Sequence, residues 1–239
     1  MNIVYKSDGF SKYYGAKRHV WDEFYLSERY IMSRFMDELN KPFSVLDVGC
    51  GCGGLGYALQ QKYKLSMYKG VDINQPNIEV AQRELNLGCP YELVCEDIVK
   101  MKGNEVYDFV ISFSCIDFNI EVKEMLDVCW NKVREGGKLI LSARLTNQSS
   151  VNDIGLSYQP IGENSSEVAN YVVFNVYDFL RLIKTLPNLG GITGYGYWGK
   201  PSSSAHTPYD KLCFSCVCLE KEMNKDIKLD MKMPLNLFI

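Results

Sequence analysis

Short apolar runs alternate with stretches of helical spacing through the middle of the chain. Continuous runs such as Val110-Ile111 and Leu139-Ile140-Leu141 predict strands that are covered on both faces. Strands that alternate with helices imply right-handed crossovers and a parallel sheet, so the pattern predicts an α/β domain with helices on both faces of the sheet. The predicted strands are 43–48, 68–73, 91–95, 107–113 and 138–143, and the predicted helices are 55–63, 77–85 and 121–133.

The same patterns predict additions at each end of this core. Apolar residues at helical spacing from Trp21 to Leu39 indicate a helical N-terminal extension over 1–42, ended by Lys41-Pro42, which precedes a domain over 43–239. A segment rich in Asn, Ser and Gly near 145–175 is long for a connection, which is typical of an insertion that acts as a lid or a loop. The later predictions are a helix over 176–186 capped by Asn175 and strands over 192–198 and 212–219.

Three glycines at alternate positions separate the first strand from its helix. Gly49, Gly51 and Gly53 let the backbone approach a ligand closely and present amide groups at a helix N-terminus, which indicates a nucleotide-like cofactor. Gly49, Gly51 and Gly54 also satisfy the dinucleotide fingerprint G-x-G-x-x-G. An NAD-dependent enzyme is therefore the first rival interpretation.

The segments around this loop resemble the motifs of class I methyltransferases, in the family's order. Val45-Leu46-Asp47-Val48-Gly49-Cys50-Gly51 resembles the first motif, whose acidic residue holds the loop near the methionine amine, whereas dehydrogenases usually carry an apolar residue there. Similar matches are Gly70-Val71-Asp72-Ile73-Asn74, Glu96-Asp97-Ile98, 107–114 and 133–139. The resemblance covers about residues 43–143 and implies a Rossmann-like fold, with a seven-stranded, mostly parallel sheet that has one reversed strand, and S-adenosylmethionine (SAM) as the cofactor.

The resemblance also implies roles for single residues. The glycines would line the methionine part of SAM, Asp72 would accept the ribose hydroxyls, Asp97 and Ile98 would meet the adenine, and Ser114 would lie under the sulfonium. The full predicted cofactor set is Asp47, Gly49, Cys50, Gly51, Gly53, Asp72, Ile73, Asp97, Ile98 and Ser114.

Acceptor-binding residues are expected above the carboxyl ends of the strands, where open parallel sheets bind their ligands. The predicted substrate-binding residues are Tyr14, Arg18, Trp21, Arg144 and Trp198. The resemblance also implies that the extension over 1–42 acts as a cofactor lid, with a solvated segment as the alternative. His206 is the predicted general base, because an imidazole suits proton removal near neutral pH, and Asp117 is the competing base. Solvated surface positions are the alternative for His206 and for the arginines.

The acceptor itself is predicted to be a small polar molecule. The pattern Trp21-x-x-Phe24-Tyr25-x-Ser27-Glu28-Arg29 resembles methyltransferases of bacterial surface and capsular polysaccharide clusters. That resemblance implies O-methylation of an activated sugar or of a phosphorylated or phosphoramidate capsule precursor. Ser114-Cys115-Ile116-Asp117 stands where amino-group methyltransferases carry an Asn-Pro-Pro-Tyr-type motif, which favours an oxygen acceptor. N-methylation of a small amine or of tRNA stays open, as does a SAM- or nucleotide-binding module without turnover.

The amino-acid composition limits the kinds of partner that this domain is expected to bind. Of 239 residues, 46% are hydrophobic and 23% charged, which is typical of a globular protein, and the net charge of −3 with scattered basic residues disfavours nucleic acid. No signal peptide or apolar run long enough for a membrane span is found, so we expect a cytoplasmic protein. The nine cysteines are expected to be reduced and mostly buried, and no metal is expected because Cys213-x-x-Cys216 lacks a second ligand pair.

Overall fold

The fold is built on one large twisted sheet with helices on both faces. The computed structural model describes residue 4 and residues 18–161, 167–223 and 226–239. The strands are β1 Phe43–Val48, β2 Leu65–Asp72, β3 Tyr91–Cys95, β4 Tyr107–Ser112, β5 Val133–Thr146, β6 Tyr158–Pro160, β7 Val168–Asn170, β8 Phe174–Asn175, β9 Leu189–Gly199, β10 Leu212–Lys221 and β11 Lys228–Lys232. The α-helices are α1 Leu26–Met36, α2 Gly54–Lys62, α3 Gln75–Glu84, α4 Val122–Asn131 and α5 Val176–Ile183.

The main sheet has the strand order β11-β9-β10-β5-β4-β1-β2-β3, and the short β8 adds to β5. Strand β10 runs antiparallel to both of its neighbours, while the other pairings in this sheet are parallel. The prediction of a mostly parallel sheet with one reversed strand is therefore confirmed. The predicted strand count is too low, because β8 has only two residues and β11 is a five-residue edge strand that begins and ends with lysine.

Several predicted boundaries differ from the structure, two of them by more than three residues. The expected helix over 21–39 is divided into a 3₁₀ turn, Trp21–Glu23, and α1, because the Glu28 carboxylate accepts a hydrogen bond from the backbone N–H of Tyr25 and starts a new helix there. Strand β5 begins at Val133, five residues earlier than predicted, and passes through Gly136, whose φ of 71° suits a glycine. The predicted cap of α5 is confirmed, since Asn175 Oδ1 accepts from the backbone of Tyr177 at 2.9 Å.

Two hydrophobic cores lie on opposite faces of the sheet. Successive strand residues alternate between them, so that Val110 packs with Trp130 and Phe179 while Ile111 packs with Ile31 and Leu59. Strands buried on both faces explain the continuous apolar runs in the sequence. Since both faces are covered, the ends of the strands are left to form a ligand site.

The insertion near 145–175 packs as a small layer of its own. Strands β6 and β7 pair antiparallel, and Val151 bridges to Val173. Both valines join Tyr171 and Leu212 in a third hydrophobic cluster, against which Phe118 packs. The insertion is thus docked beside the turn that follows β4.

The cysteines of this chain are free thiols. Six of the nine are buried, among them Cys213, Cys216 and Cys218 of β10. Cys95 is exposed, because β3 is an edge strand. Across the described ranges, no helix combines the length and the apolar character that a membrane crossing requires.

Candidate functional site

A pocket opens at the carboxyl ends of β1, β2 and β4. Of the sequence-predicted residues, its lining contains Arg18, Asp47, Gly49, Cys50, Gly51, Asp72, Ile73, Asp97, Ile98 and Ser114. Because these residues come from four loops and the N-terminal extension, the sheet order β4-β1-β2-β3 is what brings them together. Gly53 lies outside the lining, since it starts α2 and its Cα faces the side chain of Leu85.

The glycine loop follows β1 in a conformation that only glycine adopts easily. Gly49, Gly51 and Gly53 have φ angles of 76°, 54° and 82°, in the left-handed region. A Cβ at Gly49 would lie 2.4 Å from Cys115 Sγ, so a side chain there would collide with the turn after β4. The loop is fixed to β2 by the backbone N–H of Gly49, which donates to the carbonyl of Val71 at 2.8 Å.

Asp72 ends β2 with its carboxylate held by three donors. Its Oδ2 accepts from the backbone N–H of Gly51 at 2.9 Å, and its Oδ1 accepts from the backbone of Asn74 at 2.8 Å and from Asn77 Nδ2 at 3.2 Å. Burial raises the pKa of Asp72, and the hydrogen bonds from Asn74 and Gly51 act in the opposite direction. The result is an oriented carboxylate in the pocket wall that can accept further hydroxyl donors.

Asp47 lies at the end of β1, deep in the same pocket. Its Oδ2 accepts a hydrogen bond from the Tyr68 hydroxyl at 2.6 Å. Burial raises the pKa of Asp47 to about 7, while the Tyr68 hydrogen bond opposes the rise and the neighbouring Asp72 adds to it. Near neutral pH this carboxyl therefore exchanges between its charged and neutral forms, and a cation beside it would favour the charged form.

The far end of the pocket is formed after β3. Asp97 caps the 3₁₀ turn Ile98–Lys100, where its Oδ1 accepts from the backbone of Val99 at 3.3 Å. Ile98 is buried and offers an apolar wall, and Met125 of α4 lines the pocket with it. A polar acceptor beside an apolar wall suits a flat heterocycle with an amino group.

The N-terminal extension reaches the pocket through Arg18. Arg18 Nη1 donates to Ser114 Oγ at 3.0 Å, and Arg18 Nη2 is paired with the buried carboxylate of Glu28. The Arg18 guanidinium carbon lies 4.6 Å from the centre of the Phe24 ring. Burial raises the pKa of Glu28, and Arg18 opposes that rise.

Asp117 and Arg144 form a buried ion pair beside the pocket and not in its lining. Arg144 Nε lies 3.0 Å from Asp117 Oδ2, and both side chains are only 6% exposed. Arg144 also donates to the carbonyls of Val172 and Asp117, and its guanidinium carbon lies 3.5 Å from the centre of the Tyr171 ring. Here the predicted acid–base and anion-binding residues neutralise each other, because burial favours pairing of opposite charges.

The remaining predicted residues are separated from the described pocket lining. His206 is exposed and stacks on Tyr158 with ring centres 4.6 Å apart. Trp21 packs at 5.8 Å against the ring of Tyr63, and Trp198 Nε1 donates to Asn236 Oδ1 at 2.6 Å. Tyr14 lies outside the described residues.

Several pocket residues were missed by the sequence analysis. Asn77 orients Asp72, and its position five residues after that aspartate in the turn into α3 was a usable signal. Phe118 lines the pocket from the turn after β4, where no motif marks it. Glu28 lies outside the lining but pairs with Arg18 of the pocket, and no sequence signal showed that the tertiary structure buries it. Within the described ranges, no group of three or more His, Cys, Asp or Glu side chains is arranged to hold a metal ion.

Residues 45–137 match a protein family described as a methyltransferase domain. The chain is 26% identical over 232 residues to phosphoethanolamine N-methyltransferase 1 of Zea mays, a match that covers 94% of this chain and 40% of that protein. It is 25% identical over 136 residues to malonyl-[acyl-carrier protein] O-methyltransferase 2 of Ilyobacter polytropus, covering 56% of this chain and 51% of that protein. The chain thus spans about half or less of the length of the curated relatives it matches.

A solved structure shares the fold at low sequence identity. It is phosphoethanolamine N-methyltransferase 2 of Haemonchus contortus in complex with S-adenosyl-L-methionine, with a TM-score of 0.59 and 14% identity over 81% of this chain and 52% of that chain. The sheet order with one reversed strand is the Rossmann-like fold of class I methyltransferases, as the sequence predicted. These relatives give no support to the resemblance to capsule-cluster enzymes.

Proposed function

Because residues 45–137 form a methyltransferase domain in a class I fold, we propose that this chain is a SAM-dependent methyltransferase that acts on a small polar acceptor. One observation carries the proposal above the others. The pocket holds a carboxylate, Asp72, that three donors orient at the end of β2, next to a left-handed glycine loop. An acidic side chain at this place can accept both hydroxyls of a ribose.

The residues present fit the parts of SAM along the length of the pocket. Asp72 would take the ribose, and Asp97 with Ile98 would take the adenine. Asp47 and the glycine loop would take the methionine tail, with the Asp47 carboxyl favoured in its charged form by an ammonium group. Asp47 also distinguishes this site from the glycine loop of dehydrogenases, which usually carries an apolar residue at the corresponding position.

Bound SAM supplies an electrophilic methyl group, which passes to the acceptor atom while the sulfonium sulfur keeps the bonding electron pair. The protein contributes position, since in-line displacement needs the acceptor atom about 3 Å from the methyl group. Ser114, Phe113 and Phe118 border the pocket at the end of β4, the side nearest to the insertion, and we place the acceptor there. His206 and Asp117 remain proposed bases for this site, although the first is exposed and the second is paired with Arg144.

An oxygen acceptor is our first candidate. Ser114-Cys115-Ile116-Asp117 replaces the Asn-Pro-Pro-Tyr-type motif of amino-group enzymes, and a relative from Ilyobacter polytropus is an O-methyltransferase. A small amine is the second candidate, because the match to the maize phosphoethanolamine N-methyltransferase extends over 94% of this chain and therefore beyond the methyltransferase domain. We leave capsule precursors out, since none of these relatives supports them.

Two measurements test the proposal. Calorimetric titration should show micromolar binding of SAM and of its product S-adenosylhomocysteine, and no comparable binding of NAD or NADP. Release of S-adenosylhomocysteine should then rise with one member of a panel that contains an activated sugar, a malonyl thioester and phosphoethanolamine. Tighter binding of NAD than of SAM would overturn the methyltransferase assignment, and turnover with phosphoethanolamine alone would make the amine the acceptor.

A further inference from the structure

Among the residues that the structure describes, Arg18 of the N-terminal extension contributes a cation to the pocket lining. It precedes the part of the chain that matches the methyltransferase family, which begins at residue 45. Its φ of 63° is unusual for a residue with a side chain, and its carbonyl oxygen would lie 2.3 Å from a Cβ built on Gly54. The extension is therefore packed tightly on the start of α2 at this point.

Sheet topology fixes which end of the pocket Arg18 occupies. Arg18 donates to Ser114, which follows β4, and its charge acts on Asp47 at the end of β1. Strands β4 and β1 are neighbours, whereas Asp97 and Ile98 follow β3 at the opposite side of the β4-β1-β2-β3 order. If the adenosine lies at Asp72 and Asp97, the other end of the cofactor must lie at Asp47, Ser114 and Arg18.

That end of the cofactor is an amino acid, with an ammonium and a carboxylate on the same carbon. A site for it needs an anion and a cation close to each other, and Asp47 and Arg18 supply this pair. An arginine guanidinium is the side chain best suited to a carboxylate, since its planar donors match both oxygens. We propose, resting on the methyltransferase function above, that Arg18 binds the α-carboxylate of SAM.

Glu28 makes this arrangement possible in a buried place. Its carboxylate is fully buried, pairs with Arg18 and accepts from the Tyr25 backbone at 2.9 Å, so it fixes the guanidinium and balances its charge. An amino acid tail with one positive and one negative group adds no net charge to this balanced pair. Glu28 is thus a positioning residue, and Arg18 is the ligand-contacting one.

The proposal is tested by binding measurements that need no turnover. They form a double-mutant cycle in which Arg18 is changed in the protein and the α-carboxylate is removed from the ligand. The variant is Arg18→Met, and the ligands are S-adenosylhomocysteine, its decarboxylated analogue and 5′-methylthioadenosine, which lacks the amino acid tail. We expect Arg18→Met to weaken S-adenosylhomocysteine at least tenfold, to leave methylthioadenosine within about twofold, and to abolish the preference of the wild type for the carboxylated ligand. Arg18→Lys should recover part of the loss.

Arg34→Met is the matched control, because Arg34 lies on α1 and pairs with Asp230 at the surface, away from the pocket. Equal loss of all three ligands in Arg18→Met would show that Arg18 only shapes the pocket, and no loss would also overturn the proposal. If Arg18→Met does not fold, the wild type must still prefer S-adenosylhomocysteine at least tenfold over its decarboxylated analogue, or the proposal fails. A wild type that binds none of these ligands would refute the methyltransferase function itself.

Discussion

At the scale of single residues, the site depends on carboxyl groups buried at the ends of strands. Asp47 and Asp72 are 3% and 7% exposed, and burial raises the pKa of both. A buried charge destabilises the empty protein unless it is paired, so these positions are expected to be kept for binding at some expense of stability. Substitution of either aspartate should therefore separate its effect on ligand binding from its effect on stability.

Replacement of Asp72 by Asn should weaken ligand binding and spare the fold. The amide keeps an oxygen for the backbone donors of Gly51 or Asn74, whereas alanine would leave both N–H groups without that acceptor. Loss of the charge-assisted bonds to the ribose should weaken S-adenosylhomocysteine by about 1–3 kcal/mol. Calorimetric titration with a parallel urea melt measures both quantities. A steep fall in unfolding free energy with unchanged affinity would show that Asp72 is structural.

Asp47 should make stability depend on pH in the direction opposite to most aspartates. Its folded pKa of about 7 lies above its ordinary value, so between those values the folded state holds the proton more tightly, and stability falls as pH rises. From pH 6 to pH 8 this group should cost the empty protein roughly 1 kcal/mol. In Asp47→Asn the fall in unfolding free energy that Asp47 causes between pH 6 and pH 8 should vanish, and S-adenosylhomocysteine should bind more weakly. Thermal melts of both proteins across this range decide it, and parallel pH profiles would contradict the pKa shift.

At the scale of elements, the Arg144–Asp117 pair joins three parts of the acceptor side. Arg144 belongs to β5, Asp117 to the turn after β4, and the carbonyl of Val172 to the insertion. Sequence reasoning found both charged residues and proposed roles for them in substrate binding and catalysis, but no local pattern shows that two residues 27 positions apart face each other. The structure makes them a clamp that holds Phe118 against the insertion cluster.

Breaking this clamp on one side should be costly. Arg144→Met leaves the buried Asp117 carboxylate without its cation, which typically lowers the unfolding free energy by about 3–5 kcal/mol. The double variant Arg144→Met/Asp117→Asn should recover part of that loss, since it removes the uncompensated charge as well. Urea unfolding measures both. Arg181→Met is the control, because its pair with Asp178 is exposed and worth less than about 1 kcal/mol. A loss no larger than that of the control would rule out the clamp.

At the scale of the whole molecule, the sequence predicted what repeats locally and missed what only folding brings together. Strand and helix periodicity, the glycine loop and the acidic strand ends predicted the sheet from β1 to β5, its reversed strand and the pocket residues from Asp47 to Ser114. The edge strand β11 was not predicted, because five residues carry too little periodic pattern. The burial of Glu28 was not predicted either, because it depends on the pairing with Arg18, ten positions away. His206 was predicted near the acceptor from its place in a loop. Its stacking on Tyr158 accompanies an isolated antiparallel bridge between these two residues, which no sequence period predicts.

Because the pocket draws on the ends of four strands, on α2 and on the N-terminal extension, its ligand should stabilise the whole fold. A ligand at about 100 times its dissociation constant adds about 2.7 kcal/mol to the unfolding free energy when the unfolded chain does not bind it. For a chain of this size each kcal/mol raises the melting temperature by about 2–4 °C, so S-adenosylhomocysteine at that concentration should raise it by about 5–11 °C.

Differential scanning fluorimetry measures this shift in melting temperature, with NAD at equal concentration as the ligand control and Asp72→Asn as the protein control. The shift should be absent with NAD and smaller in Asp72→Asn, because that variant is closer to its dissociation constant at the same ligand concentration. An equal shift with NAD would mean that the glycine loop serves a dinucleotide, and an equal shift in Asp72→Asn would mean that the ligand stabilises the fold without using the end of β2.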